Sequence, residues 1–234
     1  TGVIGVPLPI DRFEAGIQEL EPRADGGHDV AIAIMTTDTR AKEAAIEVTT
    51  DDGWGFRIGA TAKGAGMIHP NMATMFCFLT TDAAAEPAYL EGVLRRCVDV
   101  SFNMISIDGD MSTNDTVFVL ANGEAGTPVL RDGAPGAEAF EAAVRDICVR
   151  MAKAIASDGE GATKLIEVVV AGAESERDAR LAARAVAASN LLKAAVYGND
   201  PNWGRIACAA GYSGANLVES GLDITIAGTP VLRK

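Results

Sequence analysis

The chain has 234 residues, of which 48% are hydrophobic and 22% charged, a balance that suits one well-filled globular core or two smaller ones. Its net charge of −12 argues against nucleic acid, which needs clustered Lys and Arg, and against an anionic membrane surface, so small soluble substrates are the expected partners. No basic, apolar N-terminal signal and no apolar run near the ~18 residues of a membrane span are present. The four cysteines Cys77, Cys97, Cys148 and Cys208 lie in apolar settings without CxxC spacing, which predicts reduced core thiols, no metal site and a cytoplasmic location.

In chain order, Asp11 to Leu20 places Phe13, Ile17 and Leu20 at helical spacing behind an Asp suited to capping. Asp29 to Met35 and Ala44 to Thr49 read as strands. Asp51-Asp52-Gly53 is a hairpin turn signal leading into Trp54 to Gly59, so three antiparallel strands are expected here. Met75 to Thr80 reads as a buried strand and Pro87 to Val100 as a helix with Pro87 in its first turn. Strands are predicted at Met104 to Ile107 and Thr116 to Leu120, joined by the polar, turn-rich stretch from Asp108 to Asp115. Ala137 to Ala156 carries Phe140, Val144, Ile147, Met151 and Ile155 on one stripe and is the longest predicted helix, stopped by Gly159 and Gly161. Leu165 to Val170 is strand-like, Glu174 to Ala188 helix-like, and Leu222 to Ile226 alternates as an edge strand. The Pro/Gly-rich stretch from Gly126 to Gly136 reads as a loop rather than a domain boundary.

The stretch most suggestive of chemistry is Lys63-Gly64-Ala65-Gly66-Met67-Ile68-His69-Pro70-Asn71-Met72-Ala73-Thr74, a glycine-rich turn that delivers Thr74 to the head of a strand. A threonine hydroxyl is a weak nucleophile, but a threonine exposed by chain cleavage has its own amine beside it as a base. Gly64 and Gly66 permit the backbone strain that an N-to-O acyl shift at Ala73-Thr74 requires. Thr1 is a rival nucleophile, though Gly2, Gly5, Pro7 and Pro9 set it in a loop. On the residues alone, a structural threonine heading a strand is the competing reading of Thr74.

Six segments in order are more specific than any one of them. Thr1 to Gly5, Met35 to Thr39, Lys63 to Thr74, Asp108 to Thr116, Glu160 to Lys164 and Tyr197 to Arg205 together resemble the glutamate N-acetyltransferase/ornithine acetyltransferase family of arginine biosynthesis. The resemblance implies an α/β fold, an α/β/β/α sandwich of two facing, mainly antiparallel sheets flanked by helices. It implies autocleavage between Ala73 and Thr74, so that residues 1–73 end one chain and 74–234 begin the other. It also implies Thr74 as the nucleophile of a ping-pong cycle, in which N2-acetyl-L-ornithine donates an acetyl group, ornithine leaves, and L-glutamate departs as N-acetylglutamate.

By the same resemblance Thr1 and Gly2 form the oxyanion hole, and Thr37, Lys63, Thr74 and Glu160 bind substrate. Lys63 is then the cation for a substrate carboxylate, and Glu160 the anion for an amino group. No cofactor is implied, although some members accept acetyl-CoA as a donor. Two cleaved protomers are expected to form a heterotetramer, and relative to the family pattern the chain reads as a fragment lacking both ends. The other functional readings are an N-terminal-nucleophile amidohydrolase or aminopeptidase, with water as acceptor, and an inactive fragment.

Each site residue also has a plain structural reading: a strand-end threonine for Thr37, a solvated loop lysine for Lys63 and a turn-forming acid for Glu160. Asp108, Asp110 and Asp115 lack the spacing of a calcium loop and read as loop carboxylates and backbone caps. His69 reads as a turn residue and His28 as the approach to a strand. The segment from Tyr197 to Arg205 is read as a packed structural loop in preference to a pocket wall.

Overall fold

The computed structural model describes residues 4–69 and 74–233. Four strands form its main sheet: β1 (Lys42–Thr49), β2 (Gly55–Lys63), β3 (Phe76–Thr81) and β4 (Thr116–Ala121), in that spatial order. The β1–β2 hairpin turns at residues 50–54, where Thr50 N–H donates to the Trp54 carbonyl and Gly53 takes a φ of 81°. β3 runs antiparallel to β2 with Phe76 opposite Lys63, whereas β4 runs parallel to β3 with Thr116 opposite Phe76. A parallel neighbour needs a crossover, and α3 (Pro87–Asp99) supplies it.

Alternation along the strands gives the sheet one apolar face. Phe56, Ile58, Ala60 and Ala62 of β2 and Cys77 and Leu79 of β3 are buried there, beneath α3 and the long α4 (Ala137–Ser157). α4 contributes Phe140, Val144, Ile147, Cys148, Met151 and Ile155. Phe140 lies 5.4 Å from the Phe56 ring and 6.1 Å from Tyr89, whose hydroxyl donates to the Ala137 carbonyl at 2.7 Å. Beyond α4, the helices α5 (Glu176–Ala188), α6 (Asn190–Tyr197) and α7 (Trp203–Gly211) build a second small core from Val186, Leu192, Ala209 and Ala210. Ser175, Ser189 and Asn202 cap them, each accepting from a backbone N–H in the first turn. A two-stranded antiparallel sheet, β5 (Ile224–Ile226) and β6 (Thr229–Leu232), closes the described chain across Ala227 and Gly228, both at positive φ.

The α/β expectation holds: a mainly antiparallel mixed sheet, a second small antiparallel sheet and packed helices. Four local expectations do not. The predicted strand at Asp29 to Met35 is α2 (Gly27–Ala33), with Asp29 in its first turn and Ala31 buried; a short apolar run fits either structure, and β3 provides the third antiparallel strand instead. Met104 to Ile107 is no strand, because its backbone bonds are taken elsewhere: Ile107 N–H donates to the Ile68 carbonyl, and the Ser106 and Ile107 carbonyls accept from Lys193. Leu165 to Val170 joins no ladder among the described residues; Val168 packs on the second core while Val169 is exposed. Residues 197–205 are not one loop, since Trp203 begins α7.

Helix α1 (Ile10–Gln18) forms as expected, but Asp11 does not cap it: it lies inside the first turn, Pro9 is the N-cap residue, and none of the helix residues is buried. Three cysteines are core thiols as expected, whereas Cys208 is exposed on α7. Among the described residues, no helix is long and apolar enough to cross a membrane.

Phe140 joins α3, α4 and the sheet, so Phe140→Ala is expected to cost about 3–5 kcal/mol. Urea unfolding followed by circular dichroism checks this, with an unchanged denaturant slope expected.

Candidate active site

The turn from Gly64 to Met67 organises the candidate site. Gly64 sits at φ 148°, and a Cβ there would come within 2.9 Å of the Ile68 side chain and 3.3 Å of Met75, so glycine is required. Met67 is one of three non-glycine residues at positive φ among the described residues, and its carbonyl accepts the Thr74 N–H at 2.8 Å. Asp108 holds the other side of this turn, accepting from Met67 N–H at 2.6 Å and Ile68 N–H at 3.1 Å. Both ends of the segment that carries the Ala73–Thr74 bond are thereby pinned.

Beneath the turn lies a buried charge cluster. The Lys42 ammonium donates to Asp38 at 2.5 Å and to Asp158 at 2.6 Å, all three side chains being almost wholly excluded from solvent. Asp38 also accepts from Gly64 N–H at 2.7 Å and Thr36 N–H at 3.1 Å. Asp158 accepts from both the amide and the hydroxyl of Thr39. Burial alone would raise both carboxyls, yet these donors win: Asp38 is lowered, and Asp158 is held down to about 2. Lys63 is buried at the end of β2, 5.3 Å from the centre of the Phe76 ring, in the fields of Asp38 and Asp115. Burial lowers its affinity for a proton, and the two carboxylates oppose that.

Four of the expected residues converge on the turn. Thr74 is half-buried, and its Oγ1 is the one buried side-chain oxygen or nitrogen without a hydrogen-bond partner among the described residues. Lys63 directly precedes Gly64, which corrects the solvated-loop reading: the side chain is 1% exposed. Glu160 is exposed, its N–H donates to the Ala65 carbonyl at 2.8 Å, and its carboxyl fills the space where a Cβ on Gly66 would stand, 2.8 Å away. Thr37 is exposed on the loop whose next residue, Asp38, bonds Gly64. Thr1, Gly2 and Ala73 lie outside the described residues. A cavity of about 730 Å³, lined by Ile105, Ile107, Ala152, Leu165 and Ala183, opens beside Glu160.

Asp108 and Asp115 cap backbone amides as expected, Asp115 accepting from Met75 N–H at 2.9 Å. Burial raises the Asp115 carboxyl to about 6, against the pull of the Met75 amide and Lys63. His69 faces the Ser106 hydroxyl at 3.1 Å, and burial together with Arg184 and Lys193 lowers its proton affinity. His28 lies in α2 against Glu43, not ahead of a strand. Around Tyr197 to Arg205 the contacts are structural: Lys164 donates to the Val196 and Tyr197 carbonyls, and Arg205 to the Leu191 carbonyl. Sequence reasoning did not single out Lys42, Asp38 or Asp158. Only the quoted Met35 to Thr39 segment signalled one of them, since a buried lysine on a strand is invisible to pattern.

The α/β scaffold thus presents a partnerless threonine hydroxyl ahead of β3, flanked by a buried lysine and an exposed glutamate, an arrangement compatible with a threonine nucleophile. The ArgJ family profile matches residues 1–234. The chain is 55% identical to the arginine biosynthesis bifunctional protein ArgJ of Symbiobacterium thermophilum and 50% identical to that of Dehalococcoides mccartyi, in both cases over 100% of this chain. It spans 58% of the length of each of these relatives. The crystal structure of the arginine biosynthesis bifunctional protein ArgJ from Bacillus halodurans superposes with a TM-score of 0.66 at 45% identity, covering 67% of this chain and 73% of that one. The chain belongs to the ArgJ family.

Lys42→Met leaves two buried carboxylates uncompensated, and a loss of about 3–5 kcal/mol at pH 7 is expected. In the wild type, the depressed Asp158 contributes stability that is fully present above about pH 4 and is lost as the pH falls toward 2. In the variant the orphaned carboxylates take up protons, so its deficit should shrink between pH 7 and pH 5. Urea unfolding across that range checks this; a deficit independent of pH would contradict an ionic role.

Proposed function

We propose that this chain forms the catalytic part of an ornithine acetyltransferase that moves an acetyl group from N2-acetyl-L-ornithine to L-glutamate through Thr74. The observation that carries the reading is the buried Thr74 Oγ1 without a hydrogen-bond partner, at a strand head whose own N–H is held by Met67. A hydroxyl buried without a partner is costly, and its retention is explained if it reacts. Membership of the ArgJ family, whose relatives bear the name arginine biosynthesis bifunctional protein, supports the substrate class.

The cycle begins with processing. The Thr74 hydroxyl attacks the Ala73 carbonyl, the acyl group shifts from nitrogen to oxygen, and water hydrolyses the ester, leaving residues 1–73 and 74–234 as separate chains. The freed α-amine, with a pKa near 8 before perturbation, then takes the hydroxyl proton as Thr74 attacks the acetyl carbonyl of the donor. Thr1 and Gly2 donate to the developing oxyanion, a contribution worth about 100-fold to 1000-fold in rate per donor. The proton passes to the departing amine, ornithine leaves, and the glutamate amine attacks the acetyl ester to regenerate Thr74. Lys63 draws the amino-acid carboxylate, Glu160 its ammonium, and Thr37 supplies a hydroxyl at the rim. The proposed cycle needs no cofactor. A heterotetramer of two cleaved protomers in the cytoplasm completes this reading, resting on the family resemblance.

Thr74→Ala is expected to leave the chain whole on intact-mass measurement and to abolish transfer from N-acetylornithine. Acetate release from N-acetylornithine in the absence of glutamate, as fast as transfer in its presence, would instead mark a hydrolase. Gly66→Ala pushes aside only the flexible end of Glu160. It should therefore change stability by less than about 0.5 kcal/mol while raising KM for glutamate several-fold.

A further inference from the structure

We infer that Asp115 is the positioning residue of the nucleophile: it fixes the peptide that follows Thr74 and places a negative charge beside the Thr74 amine. The inference rests on the reading of Thr74 as the nucleophile given above. Asp115 Oδ1 accepts the Met75 N–H at 2.9 Å, and the neighbouring Thr116 N–H donates to the Met75 carbonyl at 3.1 Å. Two consecutive residues at the head of β4 therefore hold both backbone polar groups of Met75, itself 3% exposed. Thr74 is bracketed, its own N–H on Met67 and the next amide on Asp115, while its buried hydroxyl has no hydrogen-bond partner. This clamp fixes the backbone that carries the Thr74 side chain, and a fixed backbone is a precondition of near-attack geometry.

A backbone carbonyl would satisfy the Met75 amide as well, so the carboxylate's charge calls for its own explanation. The charged groups facing it are Lys63 on β2 and, behind Lys63, Asp38 of the preceding loop with Lys42 of β1. After cleavage the Thr74 nitrogen becomes an amine one residue from Asp115. An ionised Asp115 favours the ammonium form and offsets Lys63, which disfavours it; it thereby keeps the amine basic enough to take the hydroxyl proton. Burial pushes the carboxyl up to about 6, still below the value near 8 of a free α-amine.

Asn retains an oxygen that can accept the Met75 N–H but carries no charge, so Asp115→Asn separates the two effects. In the whole protein, kcat/KM for transfer from N-acetylornithine to glutamate is measured against pH. A unit charge at such a range shifts a neighbouring group by about one pH unit. The acid limb of Asp115→Asn should therefore move about one unit lower, with cleavage at Thr74 preserved on intact mass. Asp115→Ala, which also loses the hydrogen bond, should slow cleavage and lower kcat at least tenfold with KM changed less than twofold. An unmoved acid limb in Asp115→Asn, or an Asp115→Ala variant whose defect lies in KM alone, overturns the inference. Thr74→Ala run alongside keeps the two failures apart: persistent transfer there sinks the nucleophile assignment itself, whereas an unmoved limb in a Thr74-dependent enzyme sinks only the role of Asp115.

Discussion

The Lys42 ammonium, buried between Asp38 and Asp158, is the interaction on which the rest of the site depends. A lone buried ion of either sign costs several kcal/mol, so the three groups are stable inside only as a set. Their partners are spread along the chain. Asp38 ties in the loop before β1 and the Gly64 amide, and Asp158 ties in Thr39 and the end of α4, two residues before Glu160. Segments remote in sequence thus meet at fixed angles around one nitrogen atom. The glutamate, the buried lysine and the glycine turn are brought together by that constraint alongside the apolar packing of Ile68, Met75 and Ile155.

Above the cluster the turn from Gly64 to Met67 converts a static scaffold into a strained one. Its first glycine stands where a side chain would collide with Ile68 and Met75, its second makes room for the Glu160 carboxyl, and Met67 adopts a left-handed backbone to present its carbonyl to Thr74. Strain of this kind, of order 1–3 kcal/mol at a single residue, survives only where the surroundings over-determine it. Asp108 on one side and Asp115 on the other supply that determination through backbone amides. The carboxylates of the loop from Asp108 to Asp115 are therefore structural in contact and chemical in consequence.

Much of this was legible in the sequence where periodicity was long or turn chemistry strong. α4 declared itself by a stripe from Phe140 to Ile155, and the β1–β2 hairpin by Asp51-Asp52-Gly53. Short apolar runs were not decidable in isolation. Residues 29–33 fall within α2, which buries Ala31, and residues 104–107 lost strand character because Lys193 and Ile68 took their backbone groups. Of the site, the glycine turn and Thr74 could be read because glycine and a strand head leave local marks. Lys63 could be named only by resemblance, and Lys42 with Asp158 not at all, because pairing across 116 residues leaves no local pattern.

The central claim is that Thr74 carries the acetyl group, and trapping that group tests it most directly. The processed protein is incubated with N-acetylornithine without glutamate, quenched in acid, and the peptide beginning at residue 74 is examined by mass spectrometry. The account predicts one acetyl group, as an ester on the Thr74 hydroxyl, which disappears on adding glutamate as N-acetylglutamate forms. Ornithine release with residue 74 unmodified, or an acetyl group that resides on another residue and passes from there to glutamate, would contradict it.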